Sequence, residues 1–356
     1  MTEAPTPFFD GHNDLLLRLM MSKAPREQVW LERGARGHLD LPRMREGGFA
    51  GGLFAIFVPP GSDGPPPDFA ALMSDPPYEM PEPAPIPAKE AVAPALRMAG
   101  LLHWMARAAP DDFTVCRSVA EIRAAMARGT IAGIMHMEGA EAIAPDLDAL
   151  YLFHAMGLRS LGPVWSRRTA FGHGAPMLFP GDPDIGPGLT PEGKDLVRLC
   201  NELRILIDLS HLNEAGFDDV AALSDAPLVA THSNAHVHCA APRNLTDRQL
   251  DRVRDSGGLV GLNFATFYLR EDGRSARDAG WDPMMRHLDH LLTRMGEDHV
   301  GLGSDFDGCI TPQEIDDVAA MPAFFTELRR RGYGEPLIAK IARENWLACL
   351  ERTLGG

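Results

Sequence analysis

The sequence contains no long hydrophobic run. None of its apolar segments approaches the roughly 20 residues that a helix needs to cross a membrane. The first residues, MTEAPTPFFDG, also lack the basic segment and the apolar core of a secretory signal peptide. These absences predict a soluble, cytoplasmic protein without a membrane partner.

Cysteine and positive charge are also scarce. The five cysteines are widely spread and form no CxxC pair, which argues against a disulfide framework and against a zinc site built from thiolates. Lys and Arg number 34 against 49 Asp and Glu, giving a net charge of -15 that repels nucleic acid. We therefore expect a reducing compartment and no nucleic-acid partner.

Glycine-rich phosphate-binding turns are missing as well. Neither GxGxxG nor GxxxxGK[ST] follows the first apolar segment, which argues against a doubly wound nucleotide-binding sheet, the rival fold. What the sequence does contain is an alternation of short apolar segments with helix-like stretches, which is typical of parallel strands joined by crossover helices.

The alternation predicts one α/β domain over residues 1–356, a (β/α)8 TIM barrel. The predicted strands are 8–10, 51–58, 131–138, 158–165, 205–211, 227–233, 258–264 and 299–305. The predicted helices are 90–109, 118–128, 191–203, 213–224, 246–256, 282–296 and 335–354.

Residues 59–88 are rich in proline and acidic side chains, which excludes a regular helix or a central strand. We expect a long insertion loop after the second strand. In a barrel this loop emerges at the C-terminal face, where active sites lie. It is therefore either a lid over the pocket or a surface insertion.

Six ionisable residues lie at the C-terminal ends of predicted strands: His12, Asp14, Glu138, His211, His232 and Asp305. In a barrel those ends form one rim, where separate strands deliver side chains to a common point. The first two are two positions apart on an extended segment, so their side chains point the same way. Gathering so many ionisable groups is costly without a cation, and we therefore predict a metal site.

Imidazoles with carboxylates suit Zn²⁺ or a similar divalent ion. Five ligands exceed what one catalytic ion with an open position needs, so we favour two zinc ions, with other divalent ions as alternatives. Glu138 is the natural bridge, because a carboxylate offers two oxygens. Such a pair activates a water and polarises a carbonyl, which predicts hydrolytic chemistry.

Two further residues complete the predicted site. Asp305 would pass a proton from the water to the leaving amine; it is alternatively a metal ligand or a partner of His12. The guanidinium of Arg243 matches a substrate carboxylate, and the alternative is a structural ion pair with Asp247 or a helix cap. Asp307 lies further into the loop, where we expect a turn or supporting role.

The other histidines are weaker candidates. His136 is in phase with Glu138, and we expect it to pack in the core or to support the ligands. His173 lies on a glycine-rich loop after the fourth strand, within reach of the pocket mouth. His236 and His238 are expected on a loop or at a helix start.

Together these motifs resemble the renal (membrane) dipeptidase family, zinc metallopeptidases of family M19 within the amidohydrolase-like barrels. The motifs are DGHND at 10–14, MEG at 137–139, IDLSH at 207–211, THSNA at 231–235, RN at 243–244 and GSDFDG at 303–308. Each is weak alone, but their order and spacing span residues 8 to 308.

The resemblance implies a dipeptidase that cleaves the peptide bond of dipeptides, including those with a D-residue at the carboxyl side, through a hydroxide bridging two zinc ions. The implied ligands are His12 and Asp14 on one ion, Glu138 as the bridge, and His211 and His232 on the other. It also implies Asp305 as the proton-transfer residue and Arg243 as a contact to the substrate carboxylate. A small dipeptide is the expected partner, and a homodimer is compatible with the sequence.

One position departs from the family. Its strand-4 motif usually carries a histidine that helps to bind the substrate or its oxyanion, whereas RSLGPVW places Trp165 there. An indole has one N–H donor and no acceptor, so oxyanion binding is weakened or moves to another group, with His173 as the candidate substitute.

Two other functions stay open. One is another amidohydrolase-type reaction, such as opening a cyclic amide or lactone. Those barrels commonly begin with HxH and use a modified lysine on strand 4, whereas this chain has HxD and no lysine between 90 and 193. The other is a non-catalytic small-molecule binder, against which the intact ligand set argues.

Overall fold

The computed structural model describes residues 4–34, 36–60 and 68–355. Within them, parallel strands surround a central axis, and we number these β1 to β8 in chain order. They are β1 (Phe8–Asn13), β2 (Phe49–Phe57), β3 (Ile131–Glu138), β4 (Leu158–Gly162), β5 (Leu206–Ile207), β6 (Val229–Ala230), β7 (Leu259–Leu262) and β8 (Val300–Leu302). Each overlaps one predicted segment, so the predicted strands are confirmed.

The order of the strands in the sheet is β5-β4-β3-β2-β1-β8-β7-β6. A bridge between Asp208 and Val229 joins the two ends, and the Leu209 N–H donates to the Val229 carbonyl at 2.8 Å. The sheet is thus a nearly closed parallel barrel, and the predicted (β/α)8 TIM barrel is confirmed. A short strand that was not predicted, Phe113–Val115, pairs with β3 outside this circuit.

Helices connect the strands. In the described ranges they are Leu15–Met21, Arg26–Leu31, Leu41–Gly47, Phe69–Leu72, Ala88–Ala108, Val119–Ala127, Asp148–Met156, Pro191–Glu202, Glu214–Leu223, Asp247–Asp255, Thr266–Leu269, Asp282–Met295, Met321–Arg330, Glu335–Ala339 and Asn345–Leu354, with 3-10 turns at Gln313–Ile315 and Val318–Ala320 and a π turn at Lys340–Glu344. None of these helices has the length and apolar character needed to span a membrane.

Local sequence explains where several crossover helices begin. The side chains of Ser118 and Thr190 accept backbone N–H groups of the first helical turn, at 3.3 and 3.0 Å. Thr246 and Gln249 cap each other reciprocally at the start of the helix after β6. Each cap satisfies N–H groups that lack a partner within the helix. These helices therefore start close to their predicted first residues.

The core lies on both sides of the barrel wall. All eight residues of β3 are buried, as expected for a strand with helices outside and other strands across the axis. Trp346 of the C-terminal helix donates its indole N–H to the Leu302 carbonyl at 2.8 Å and packs on Phe9, with ring centroids 5.8 Å apart. This packing fixes β1 and β8, two of the strands that lead into the predicted site.

The insertion at 59–88 is mostly irregular, as predicted. Its residues 61–67 lie outside the described part of the chain. The remainder contains the short helix Phe69–Leu72 and a strand at Tyr78–Glu79, which pairs antiparallel with Leu178–Phe179. The insertion is therefore tied to the loop that follows β4.

Candidate metal centre

The predicted ligands follow the barrel strands at one rim. Glu138 is the last residue of β3, and His12 lies in β1 with Asp14 just beyond its end. His211 and His232 come shortly after β5 and β6. Because the strands are parallel, their C-terminal ends bring these side chains to one place.

One carboxylate oxygen, Oε1 of Glu138, lies at the centre of this group. It is 2.8 Å from Nε2 of His211, 3.5 Å from Nε2 of His232 and 3.7 Å from Nε2 of His12. The Nε2 atoms of His211 and His232 are 3.2 Å apart. Side chains from four separate strands thus meet at one point.

Three sets of donor atoms lie close enough together to hold a cation. They are Glu138, His211 and His232; His12, Asp14 and Asp305; and His12, Asp208 and His232, each with ligand atoms within 4.8 Å of one another. The Nε2 atom of His12 is 3.4 Å from Oδ2 of Asp14 and reaches toward Glu138 as well. These donor sets are suitable for binding a metal.

Two observations show that these residues fit a cation. Both ring nitrogens of His12 are buried and, among the described residues, have no hydrogen-bond partner, although buried polar atoms are normally satisfied. A side chain at Gly308 would collide with the carboxylates of Asp14 and Asp305, so the glycine keeps that space open. Imidazole and carboxylate donors without thiolates suit zinc or a related divalent ion.

The half of the centre beside β1 and β8 is acidic. Burial opposes a charge on His12, but Glu138, Asp14 and Asp305 outweigh it and raise the pKa of the imidazole to about 10. Burial, followed by repulsion from Asp14, raises the pKa of Asp305 to about 6 against the opposing effect of His12. Burial likewise raises the pKa of Glu138 well above its usual value. Clustered buried carboxylates therefore favour a positive charge between them, and a cation bound there would take the place of the proton on His12.

The half beside β5 and β6 behaves in the opposite way. Burial, together with the nearby charges of Arg243 and His12, lowers the pKa values of His211 and His232 well below the ordinary range of histidine. Both imidazoles are therefore neutral at physiological pH, which is the form that binds a metal.

Asp208 supports the imidazole half and was not singled out in the sequence. Its carboxylate accepts the hydroxyls of Ser210 and Thr231, each at 2.6 Å, and their backbone N–H groups at 3.0 and 2.8 Å. The Thr231 hydroxyl also lies 2.8 Å from Nδ1 of His232. Asp208 thus joins β5 to β6 and orients His232 through Thr231. The feature that could have indicated it in the sequence is an aspartate inside the apolar segment ILIDLSH.

Asp10 has the matching place in the acidic half and was also missed. It accepts the backbone N–H of Ser304 at 2.7 Å and the Ser304 hydroxyl at 2.8 Å, which joins β1 to the segment after β8. Burial raises the pKa of Asp10 to about 7. The feature that could have indicated Asp10 in the sequence is its place at the end of the apolar run FFD.

Asp305 is held in a specific backbone conformation. Its φ of 59° is in the left-handed region, which residues other than glycine seldom adopt. Its N–H donates to the His12 carbonyl at 3.0 Å, and its Oδ2 accepts from the Asn263 amide at 3.1 Å. Strained residues of this kind are concentrated at functional sites, and Asn263 is a further member of the site that the sequence did not indicate.

Arg243 is buried against the imidazole half. Its Nε donates to Nδ1 of His211 at 3.1 Å, its Nη1 to the Ser233 hydroxyl at 2.8 Å and its Nη2 to the His232 carbonyl at 2.9 Å. The guanidinium also lies 5.7 Å from the centroid of the Tyr268 ring. Arg243 is therefore brought to the predicted centre.

The ion pair weighed as an alternative for Arg243 does not form. Asp247 instead lies 2.7 Å from Nε2 of His290 and 3.7 Å from Nη1 of Arg294. Asp307 supports the neighbouring loop, because its Oδ2 is 2.9 Å from Nε of Arg18 and its Oδ1 accepts the His38 N–H at 2.5 Å.

The remaining histidines lie around the centre without joining it. His136 is buried, with Nδ1 2.8 Å from the Ser160 hydroxyl, and burial lowers its pKa to about 3. His236 contacts the Gly181 carbonyl at 2.8 Å. His173 belongs to the loop after β4 and is not among the described residues that line the cavity at the centre.

A cavity of about 380 Å³ opens onto the centre. Its acidic part includes Asp14 and Asp305, and its apolar part includes Phe57, Trp165 and Met73. The Met73 carbonyl accepts a backbone N–H from the segment after β7 at 3.1 Å, so the insertion at 59–88 forms part of the cavity wall. A volume of this size accommodates a small molecule.

A nearly closed parallel barrel with a cluster of histidines and carboxylates at its C-terminal rim is typical of metal-dependent hydrolases. The family model "Membrane dipeptidase (Peptidase family M19)" matches residues 2–353. The chain belongs to this family and is a metallodipeptidase, a peptide hydrolase.

Similar proteins agree with this assignment. A solved metallopeptidase of family M19, dipeptidase AC, is 61% identical with a TM-score of 0.96, over 99% of this chain and 100% of its own. A metallopeptidase from Rhodobacter sphaeroides, solved with a phosphinate mimic of the dipeptide L-Ala-D-Ala, is 61% identical with a TM-score of 0.96, over 98% of this chain and 99% of its own. A protein of Acinetobacter calcoaceticus described as uncharacterized, in the PQQ-III 3' region, is 40% identical over 290 residues, 81% of this chain and 90% of its own.

Proposed function

We propose that this enzyme hydrolyses dipeptides with a free carboxylate, including those with a D-residue at the carboxyl side, with two zinc ions as cofactors. The observation that carries the proposal is the single oxygen of Glu138 shared by imidazoles from three other strands. The relative from Rhodobacter sphaeroides, which binds a mimic of L-Ala-D-Ala, supports this class of substrate.

The proposed ligands are His12 and Asp14 for one ion, His211 and His232 for the other, and Glu138 for both. With divalent ions bound, these residues would hold a centre that lowers the pKa of a water molecule and polarises the substrate carbonyl. The protein holds this chemistry in place through Asp10 and Asp208, whose hydrogen bonds join the strands on either side.

Arg243 would bind the carboxylate of the substrate. Its guanidinium is 3.1 Å from a proposed ligand, His211, so a carboxylate paired with it lies next to the scissile bond. Each residue added at the carboxyl side extends a peptide by about 3.3 to 3.6 Å. The terminal carboxylate of a longer substrate would therefore lie too far away to contact Arg243. The geometry therefore favours dipeptides over peptides that extend further at the carboxyl side.

Asp305 would move the proton. Its carboxylate is oriented by Asn263 and by the left-handed backbone, which aims a proton acceptor at the centre. It takes the proton of the attacking water and returns it to the nitrogen of the leaving amine, so it begins and ends the cycle ionised.

We also propose that the chain acts as one catalytic domain in a reducing compartment such as the cytoplasm. The five free cysteines support a reducing environment.

The test is a panel of dipeptides with defined stereochemistry at both positions. We expect release of free amino acids by the zinc-loaded protein, loss of activity after treatment with a chelator, and recovery when zinc is added back. Full activity in the metal-free protein would disprove the proposal.

A further inference from the structure

A buried ion pair lies beside the cavity and has no part in the chemistry described above. Arg167 places its Nη2 2.6 Å and its Nε 3.0 Å from Oε1 of Glu141, and both side chains are 0% exposed. The same Nη2 donates to the Val58 carbonyl at 3.0 Å. These contacts join the segments that follow β2, β3 and β4.

The guanidinium of this pair touches two rings that line the cavity. It lies 5.7 Å from the ring centroid of Phe57 and 5.5 Å from that of Trp165. The two rings meet edge to face with centroids 5.0 Å apart, and both line the cavity, whereas Arg167 does not. We call Phe57 and Trp165 the aromatic wall.

The pair is poorly suited to a purely stabilising role. Nη1 of Arg167 and Oε2 of Glu141 are buried and have no hydrogen-bond partner among the described residues. A buried ion pair must overcome the desolvation of both charges, and unsatisfied polar atoms add to that cost. The chain also makes room for it, since Gly139 has a φ of 81° and a side chain there would collide with the Glu141 carboxylate.

We propose that Glu141 and Arg167 are positioning residues that hold the aromatic wall, and that the wall makes the enzyme prefer dipeptides with a bulky apolar side chain. A planar guanidinium against two ring systems restricts their rotation, which a flexible aliphatic side chain would not do. The Trp165 ring is 6.0 Å from that of His211, so a substrate at the metal centre lies within reach of the wall. This inference rests on the proposed dipeptidase function.

The main test variant is Glu141→Gln with Arg167→Met, which removes both charges together. Removing one partner alone leaves a buried charge and endangers folding, whereas removing both avoids this. The ratio of kcat/KM for Leu-Gly or Gly-D-Leu to that for Gly-Gly should fall roughly tenfold, because losing apolar contact for one side chain has an effect of this size. The loss should lie in KM for the bulky substrates.

Two comparisons separate positioning from general destabilisation. Asp40→Asn with Arg43→Met removes both charges of another buried pair, 2.7 Å apart and away from the cavity, and should leave the ratio unchanged. Adding the double change to a Phe57→Ala, Trp165→Ala variant should produce no further fall, because the pair acts through those two rings. Arg167→Lys keeps the charge but lacks the planar guanidinium, so it should also lower the ratio. This variant replaces the double variant in the test if the double variant fails to fold.

An unchanged ratio in a folded variant would overturn the positioning role while leaving the dipeptidase function intact. An equal fall in the Asp40→Asn, Arg43→Met control, or full additivity with the Phe57→Ala, Trp165→Ala variant, would overturn it as well. Hydrolysis of no dipeptide by the parent protein would overturn both proposals.

Discussion

The two halves of the metal centre stabilise opposite charges. Beside β1 and β8, one imidazole faces several carboxylates, and the pKa of His12 rises to about 10. Beside β5 and β6, two imidazoles lie near Arg243, and their pKa values fall well below the usual range. Neighbouring charges thus shift the pKa values of histidines a few ångströms apart in opposite directions.

This contrast means that the two halves favour different charged groups. The acidic half favours a cation or a proton, whereas the half with Arg243 is the one we propose to bind the carboxylate of a substrate. Glu138 lies between them, with its Oε1 within 3.7 Å of imidazoles from both halves. Changes that remove this link should have larger effects than changes within either half.

The largest effect is expected for Glu138→Gln, which keeps the shape of the side chain and removes its charge. We expect kcat/KM to fall by about a thousandfold or more, because several kcal/mol of charge stabilisation are lost. Bound zinc, measured by elemental analysis, should drop below two ions per chain. Glu192→Gln, at an exposed glutamate in a crossover helix, is the control.

Asp305→Asn changes a residue of the acidic half and should affect only the proton-transfer step. We expect kcat to fall by about 10² to 10⁴ because proton transfer is lost, while zinc content stays the same. Steady-state kinetics together with elemental analysis measure this. Loss of zinc in parallel with kcat would instead make Asp305 a metal ligand.

Arg243→Met should act within the other half and mainly on binding. A hydrogen bond to a charged group contributes about 1.5 to 3 kcal/mol, so KM for a dipeptide should rise roughly tenfold to a hundredfold. The corresponding dipeptide amide, which has no carboxylate, is the control substrate. Equal losses for the acid and the amide would rule out the proposed contact.

Asp208→Asn should have the smallest effect. The hydrogen bonds that orient Thr231 and His232 are weakened but not removed, so zinc affinity should fall about tenfold. Competition with a zinc indicator measures the affinity, and circular dichroism checks the fold. Unchanged affinity in a folded variant would contradict the supporting role.

The sequence predicted the strands well because parallel strands buried on both faces are apolar along their length. It did not predict the helices Leu15–Met21, Arg26–Leu31 and Leu41–Gly47 between β1 and β2. These helices have six or seven residues each, too short for a clear repeat. The predicted helix at 335–354 is interrupted by a π turn at Lys340–Glu344, which depends on packing rather than on composition.

The residues of the metal centre were easier to predict from the sequence than the residues that hold them in place through hydrogen bonds. His12 and His211 are recognisable because ionisable residues at the ends of apolar segments need a reason to be there. The roles of Asp10, Asp208 and Asn263 depend on hydrogen bonds to other strands, and no local pattern encodes those partners. The opposite charge preferences of the two halves likewise appear only once burial and neighbours are known.

The most direct test of the paired centre is an anomalous scattering map of zinc-loaded crystals. We predict two peaks about 3.5 to 4 Å apart, both in contact with Glu138, one beside His12 and the other beside His211. A single peak, or zinc bound away from Glu138, would contradict the account.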